Sequence, residues 1–186
     1  MHTTSLKNHL LIAMPNLRDP NFSRTVTYIC DHSESGAMGI VINRPTDIMV
    51  AEVFEQMEIE VSQPGAEQNK VFVGGPVEEQ RGFVLHTGHA SWDSTLSIDA
   101  DVSITTSRDI LEAMARGEGP DNTLLALGYA GWGAGQLEQE MLDNAWLTGP
   151  ADKAILFELP AEQRWEAAAR LLGVDLSLMS GESGHA

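Results

Sequence analysis

Apolar residues recur along this chain in short runs, and the spacing within each run predicts a type of secondary structure. Alternation with period two predicts a half-buried strand, and apolar positions at i, i+3, i+4 and i+7 predict an amphipathic helix. Runs that predict strands occupy residues 10–13, 25–30, 38–42, 71–73, 83–85, 124–127 and 154–157, with one or two more between 94 and 104. The second and third runs flank a Ser-Glu-Ser-Gly turn, so together they predict a hairpin.

Four segments carry the apolar stripe of a helix that packs on a core. The stripes are Val50, Val53, Phe54 and Met57; Ile110, Leu111 and Met114; Leu137, Met141 and Leu142; and Trp165, Ala168, Ala169 and Leu172. Thr46 or Asp47 is predicted to cap the first helix, and Thr106 with Asp109 resembles a capping box for the second. A glycine after the second helix and another after the fourth are predicted to end them.

The order of these elements indicates the fold class. Hairpins come first, and strand–helix units follow in the second half of the chain. Hairpins place antiparallel strands side by side, and strand–helix units place parallel strands side by side. Together they predict a mixed sheet. No linker-like stretch divides the chain, so we expect one α/β domain over residues 1–179 and a small, polar, mobile tail over 180–186.

The charge balance limits the possible partners. The 186 residues include 11 Lys and Arg against 27 Asp and Glu, a formal net charge of −16. DNA affinity comes largely from cations that release condensed counterions, so this composition opposes direct nucleic-acid binding. The apolar run at 10–14 is too short for a signal peptide or a membrane span, which predicts a cytoplasmic protein without membrane contact.

A glycine-rich segment at 128–135 lies between a predicted strand and a predicted helix. Backbone N–H groups and a helix N-terminus at such a place could hold the phosphate of a nucleotide. Two features oppose that interpretation: the spacing is not G-x-G-x-x-G, and Glu138 and Glu140 already offset the helix dipole. The favoured interpretation is a tight loop packed under Trp132.

Arg44 and Arg81 stand at predicted strand ends in a chain with few cations. A guanidinium can hold a carboxylate or phosphate through two parallel hydrogen bonds, so the pair could clamp a small anionic ligand. With many acids available, each arginine could equally pair with a neighbouring carboxylate or loop carbonyl, and we favour that structural role.

Two other groups of residues suggest chemistry only weakly. His86, His89 and Asp93 could approach one metal ion, but no further ligand cluster supports a tetrahedral site, so no metal is expected. Cys30 precedes an Asp-His pair, but it shares a strand face with Val26 and is expected to be buried rather than a nucleophile. We expect no catalytic set and no cofactor.

Several segments together resemble the bacterial YqgE/AlgH family, whose function is uncharacterised. The matching segments are 19–22 (DPNF), 36–45 (GAMGIVINRP), 74–77 (GGPV), 81–86 (RGFVLH), 128–132 (GYAGW) and 144–147 (NAWL). The resemblance implies a bifurcated mixed sheet that curls into a barrel-like body with helices outside. It also implies a bacterial cytosolic protein that is often described as a transcriptional regulator.

The matching segments supply the candidate binding residues, which are Asn43, Arg44, Gly75, Pro76, Arg81, His86, Tyr129 and Trp132. The first hypothesis is a non-enzymatic protein that contacts a partner protein or small anionic ligand there and affects transcription indirectly. The alternative is a small enzyme or a nucleotide-binding or anion-binding protein that uses 128–135 with Arg44 and Arg81. Both require that segments near 44, 81 and 130 meet around a common hollow.

Overall fold

The computed structural model describes residues 5–174 except 16, 18, 21, 64 and 89–91, so the predicted tail at 180–186 lies outside the described residues. The strands are β1 His9–Ala13, β2 Val26–Ser33, β3 Gly36–Val41, β4 Pro45–Met49, β5 Lys70–Val73, β6 Val77–Thr87, β7 Thr95–Ser97, β8 Val102–Thr105, β9 Thr123–Gly133 and β10 Trp146–Pro150. The α-helices are α1 Val50–Gln56, α2 Arg108–Ala115, α3 Gln136–Leu142 and α4 Ala161–Leu171. A 3₁₀ turn covers Ala66–Gln68, and a π-helical turn covers Ala154–Glu158.

The strands form one branched sheet in the order β10-β1-β2-β3-β9-β6-β8-β7, with antiparallel neighbours throughout that path. On a branch, β4 pairs with β5, and β5 runs parallel to β9 through the pairs Phe72–Ala126 and Val73–Leu127. The sheet curls into a half-barrel, which confirms the expected mixed α/β class. Strand β9 contacts three strands, and the sheet divides there.

The β2–β3 hairpin follows from the alternation that predicted it. Val26, Tyr28 and Cys30 are fully buried in the main core, as the shared strand face required. Between Ile29 and Asp31 the register shifts, and β2 continues to Ser33 before a two-residue turn. The bulge explains why the strand extends past residue 30.

Helices cover the sheet through the stripes that the spacing predicted, with one exception. Trp165 and Ala168 of α4 join the main core, whereas α1 and α2 cover a second cluster that contains Phe54 and Met114. In α3, Leu137 is buried, but Leu142 is 76% exposed. Its predicted burial is wrong, because α3 ends at Leu142 and contacts the sheet through Leu137, Glu140 and Met141.

Neither predicted N-cap residue lies at the observed start of its helix, because the N-cap positions are Met49 and Ser107. Residues 45–49 form strand β4, so α1 begins only after Met49. The Met49 N–H donates to the Glu52 carboxylate over 2.7 Å. Helix α2 begins after Ser107 rather than Thr106, and the Ser107 hydroxyl donates to Asp109 over 2.6 Å. The helix ends are as predicted: the glycines at 117 and 173 have φ of +73° and +76°.

The predicted last strand at 154–157 is wrong. These residues form the π-helical turn, which begins where the Asp152 carboxylate accepts the N–H groups of Ala154 and Ile155. A short apolar run is compatible with a strand or a buried helical segment, and spacing does not separate them. The strand at this edge is β10, which pairs with β1 and was not predicted.

Among the described residues, no helix combines the length and the apolar character that crossing a membrane requires.

Candidate functional site

The predicted glycine loop at 128–135 is strand through Gly133. Strand β9 runs from Thr123 to Gly133, and α3 begins at Gln136 after Gly135, whose φ is +74°. In the first turn of α3, the Glu138 carboxylate lies 3.2 Å from the His32 Nε2. The strand–loop–helix arrangement that would hold a phosphate is therefore replaced by a continuous strand.

Gly128, the first glycine of this segment, belongs to a close crossing of backbones with residues 74 and 75. The Gly74 N–H donates to the Leu127 carbonyl, and its own carbonyl accepts the Val41 N–H, both over 2.8 Å. A Cβ added to Gly128 would lie 2.4 Å from the Gly75 carbonyl oxygen, closer than real side chains approach. Only residues without a Cβ fit this crossing.

Strand β6 bulges outward beside the crossing. Val77 pairs with Tyr129 and Gly82 pairs with Leu127, so residues 78–81 stand opposite a single residue of β9. Glu78 adopts a positive φ of +47°, and all four residues of this bulge are exposed. Bulges re-aim side chains next to binding sites, and this one turns charged side chains to solvent.

Arg81 and Tyr129 both contact the Phe83 ring. The Arg81 guanidinium carbon lies 5.3 Å from the Phe83 ring centroid, and the Phe83 and Tyr129 rings meet edge to face at 5.7 Å. Arg81 also pairs with Glu78 at 3.2 Å, and both side chains are about half exposed. These contacts connect the bulge to the half-buried Tyr129 of β9.

An open depression of about 490 Å³ lies on that face. Met38 pairs with Gly131 across β3 and β9, and Val77, which is 36% exposed, lies beside Tyr129. A second depression is lined by Pro76 and the bulge. We call this area the crossover surface and define it as Met38, Pro76, Val77, Arg81, Tyr129 and Gly131.

Asn43 and Arg44 lie with a different segment. The Asn43 side chain accepts the Val26 N–H and donates to the Arg24 carbonyl, both over 2.9 Å. The Arg44 Nη2 donates to the Ser23 carbonyl over 3.0 Å, and burial lowers the pKa of Arg44. These two residues fasten the segment before β2, so Arg44 and Arg81 are held by separate parts of the fold.

His86 is fully buried inside the β6–β8 ladder. Its Nε2 lies 2.7 Å from the Thr105 hydroxyl, and its ring meets Trp92 edge to face at 5.2 Å. Burial lowers the pKa of His86, although a hydrogen bond to the Thr87 carbonyl opposes this. Its candidate partner His89 lies outside the described residues, and within the described part of the chain no three His, Cys, Asp or Glu side chains gather as metal ligands.

Trp132 is buried on the face of β9 opposite Tyr129. Its indole N–H donates to the Glu140 carboxylate over 3.0 Å, and the Trp146 indole donates to the same oxygen over 2.9 Å. Phe22 packs on both indoles. Trp132 therefore fixes α3 to the sheet, and it also lines the open depression beside Tyr129.

Cys30 is fully buried, as predicted. Burial and the neighbouring Asp31 carboxylate raise the pKa of its thiol, so the thiolate that would act as a nucleophile is disfavoured.

Arg164 is a buried cation that the sequence analysis missed. It is only 5% exposed, and its guanidinium donates to the carbonyls of Ile42 and Leu159. Burial lowers its pKa to about 10, although the Glu162 carboxylate opposes this. The sequence does contain a signal for this burial. Arg164 precedes Ala168 by four positions, so the helical spacing places it on the buried stripe of α4.

The fold and these sites define a class: an α/β protein whose half-barrel sheet divides at a glycine crossing. The chain belongs to the AlgH-like family, whose model matches residues 10–177. A UPF0301 protein of Thioalkalivibrio sulfidiphilus is 62% identical over 99% of this chain and 98% of its own length. A UPF0301 protein of Nitrosococcus oceani is 54% identical over 97% of this chain and 96% of its own length.

Two solved structures share the fold. The solution structure of the AlgH protein from Pseudomonas aeruginosa superposes with a TM-score of 0.79 at 53% identity, covering 97% of each chain. A crystal structure of a Corynebacterium diphtheriae protein gives a TM-score of 0.74 at 20% identity, covering 92% of this chain and 89% of that one. The second likeness concerns the fold alone.

Proposed function

We propose that this protein acts by binding an extended segment of a partner protein at the crossover surface, without catalysing a reaction. The observation that carries the proposal is the open edge of β9. Residues 130–133 pair with β3 on one side, whereas the β6 ladder stops at Tyr129 on the other. An unpaired strand edge is a template for adding another strand.

The side chains beside this edge suit an extended segment. Met38, Val77 and Tyr129 offer apolar contact area, and Gly131 leaves the backbone of β9 uncovered beside them. The Gly133 N–H donates to the Gln136 side-chain oxygen over 2.9 Å, so the open stretch ends there. In strand addition, main-chain hydrogen bonds supply affinity and such depressions select alternate side chains. Aromatic residues such as Tyr129 are common anchors at interfaces.

The charges around the surface indicate the character of the partner segment. Asp31, Glu78 and Glu79 line the depressions, with Arg81 as the nearest cation. Together with the net charge of −16, this favours a segment rich in Lys or Arg. In this proposal the protein works in the cytoplasm and affects transcription through that partner, without contacting DNA.

A matched pair of surface variants tests the proposal. Val77→Arg places a cation on the crossover surface, and Leu96→Arg places one on the exposed strand β7. Immobilised wild-type protein and the Leu96 variant are expected to retain the same partner from cell extract, and the Val77 variant is expected to lose it. Equal retention by all three would contradict the proposal.

A further inference from the structure

A cavity of about 320 Å³ lies between the start of α4 and the β4–β5–β9 branch of the sheet. That volume falls in the range of small-ligand sites, about 300–1,000 Å³. Phe72, Leu124, Leu156 and Phe157 provide apolar walls. Two of them belong to the π-helical turn, an irregularity that occurs frequently at functional sites.

The cavity has the opposite charge to the rest of the protein. Lys70 and Arg164 line it, and Glu162 is the one acid among its lining residues. The chain as a whole has 27 acids against 11 Lys and Arg. A local excess of positive charge in such a chain indicates a place that tolerates, and attracts, an anion.

Arg164 is a charged wall residue with hydrogen-bonding capacity left. Its pKa of about 10 keeps it protonated at neutral pH. Nε and Nη1 donate to backbone carbonyls, while Nη2 has no hydrogen-bond partner among the described residues. Within those residues no carboxylate lies within 4.0 Å of the guanidinium either. Glu162 acts on Arg164 from beyond ion-pair distance, and a buried charge without a direct ion pair is costly, so an anion bound against the guanidinium would reduce that cost.

The stacking of Arg164 orients it for such a ligand. Its guanidinium carbon lies 5.3 Å from the Phe72 ring centroid, and its two backbone bonds hold the group in place. A pre-organised guanidinium fork suits the planar oxygens of a carboxylate or the oxygens of a phosphate.

We propose that this cavity binds a small organic oxyanion, a carboxylate or phosphate monoester with an apolar body. Arg164 holds the anionic group through its remaining donors, Lys70 adds charge at the wall, and Phe72 and Phe157 cover the apolar part. This site is separate from the crossover surface, so either one can fail without the other.

Three probes of similar size test the ligand chemistry: phenyl phosphate, phenylacetate and the uncharged 2-phenylethanol. Titration followed by NMR is expected to shift the Arg164 Nε–Hε resonance with the two aromatic anions, and 2-phenylethanol is expected to leave it unchanged. Binding that ignores the charge of the probe, or no binding at millimolar concentration, would overturn the proposal.

Variants at the cavity wall locate the binding without disturbing the two backbone bonds of Arg164. Lys70→Gln is expected to weaken phenyl phosphate binding about threefold and Glu162→Gln to strengthen it about as much, the scale of partly exposed charge interactions. Lys153→Gln, which removes a cation paired with Asp101 elsewhere, is the control. Equal affinities in all four proteins would place the anion outside this cavity.

Arg164→Gln provides a second check. It is expected to abolish binding, and its fold is assessed by the amide spectrum before titration. A folded Arg164→Gln protein that binds phenyl phosphate like the wild type would also overturn the proposal.

Discussion

The backbone of Gly75 lies against the backbone of Tyr129, so that a Cβ on Gly75 would come 2.1 Å from the Tyr129 carbonyl carbon. This contact fixes where β5 leaves β9 and where β6 begins at Val77, directly after Pro76. The crossover surface therefore depends on a residue that itself has no side chain.

Gly75→Ala is expected to destabilise the protein by more than about 3 kcal/mol, because backbone atoms cannot yield to the new methyl group. Gly65 is a matched control: its φ of +158° nearly equals the +157° of Gly75, but a Cβ there meets nothing within 4 Å. Urea unfolding of both variants separates the steric cost from the backbone-conformation cost. Similar losses in the two would contradict the close crossing.

Glu140 accepts two buried indole N–H groups, so its removal leaves both without a partner. Glu140→Leu is expected to lower the free energy of unfolding by about 2–4 kcal/mol, since each unsatisfied buried donor costs roughly 1–3 kcal/mol. Gln139→Leu, on the exposed side of the same helix, is expected to change it by less than about 0.5 kcal/mol. Thermal unfolding followed by tryptophan fluorescence measures both, and equal effects would exclude the bridging role.

His86 makes stability depend on pH in a predictable direction. Burial lowers the pKa of His86 in the folded state, so below the ordinary value of 6.5 the unfolded chain binds the proton more readily. Stability is thus lost as the pH falls through 6.5 and below. The stability advantage of the wild type over His86→Gln is expected to shrink between pH 7.5 and 5.5, roughly one unit on either side of that value. An advantage that grows on acidification would show that the folded state favours protonated His86.

Cys30 is expected to resist alkylation in the folded protein, because burial both shields the thiol and raises its pKa. Mass spectrometry after iodoacetamide treatment at pH 8 measures the reaction. Ser35→Cys supplies an exposed thiol on the β2–β3 turn and is expected to be modified first. Comparable rates at positions 30 and 35 would indicate that Cys30 opens to solvent.

Sequence patterns predicted elements best where one face is buried. Alternation identified the buried face of β2, and the stripe of α4 identified Trp165 and Ala168 as core. The apolar run at 154–157 was misassigned because the local cap by Asp152, which accepts N–H groups two and three residues further on, favours a helical turn that apolar spacing alone does not report. Strand β10 was missed because it contains Gly149 and Pro150, which depress any strand signal.

The candidate site was predictable only in part. Gly75, Arg81 and Tyr129 were named from motifs, and the structure places Gly75 at the backbone crossing and the other two beside Phe83. A motif does not reveal such contacts, nor which side chains face solvent. His86 and Trp132 turned out to be buried, with structural hydrogen bonds. The common hollow expected around residues 44, 81 and 130 stays a prediction, although Arg44 and Arg81 are held by different partners.

Site-specific photo-crosslinking in living cells tests the central claim most directly. A photoreactive residue is placed at Ser35 or Val77, which line the depression beside β9, and at Leu142 or Leu171, which are exposed on α3 and α4. The account predicts that Ser35 and Val77 capture one and the same protein, through a Lys-rich or Arg-rich segment, and that the two helix positions do not. Capture of that protein equally from the helix positions, or of nothing from Ser35 and Val77, would contradict the crossover surface as the binding site.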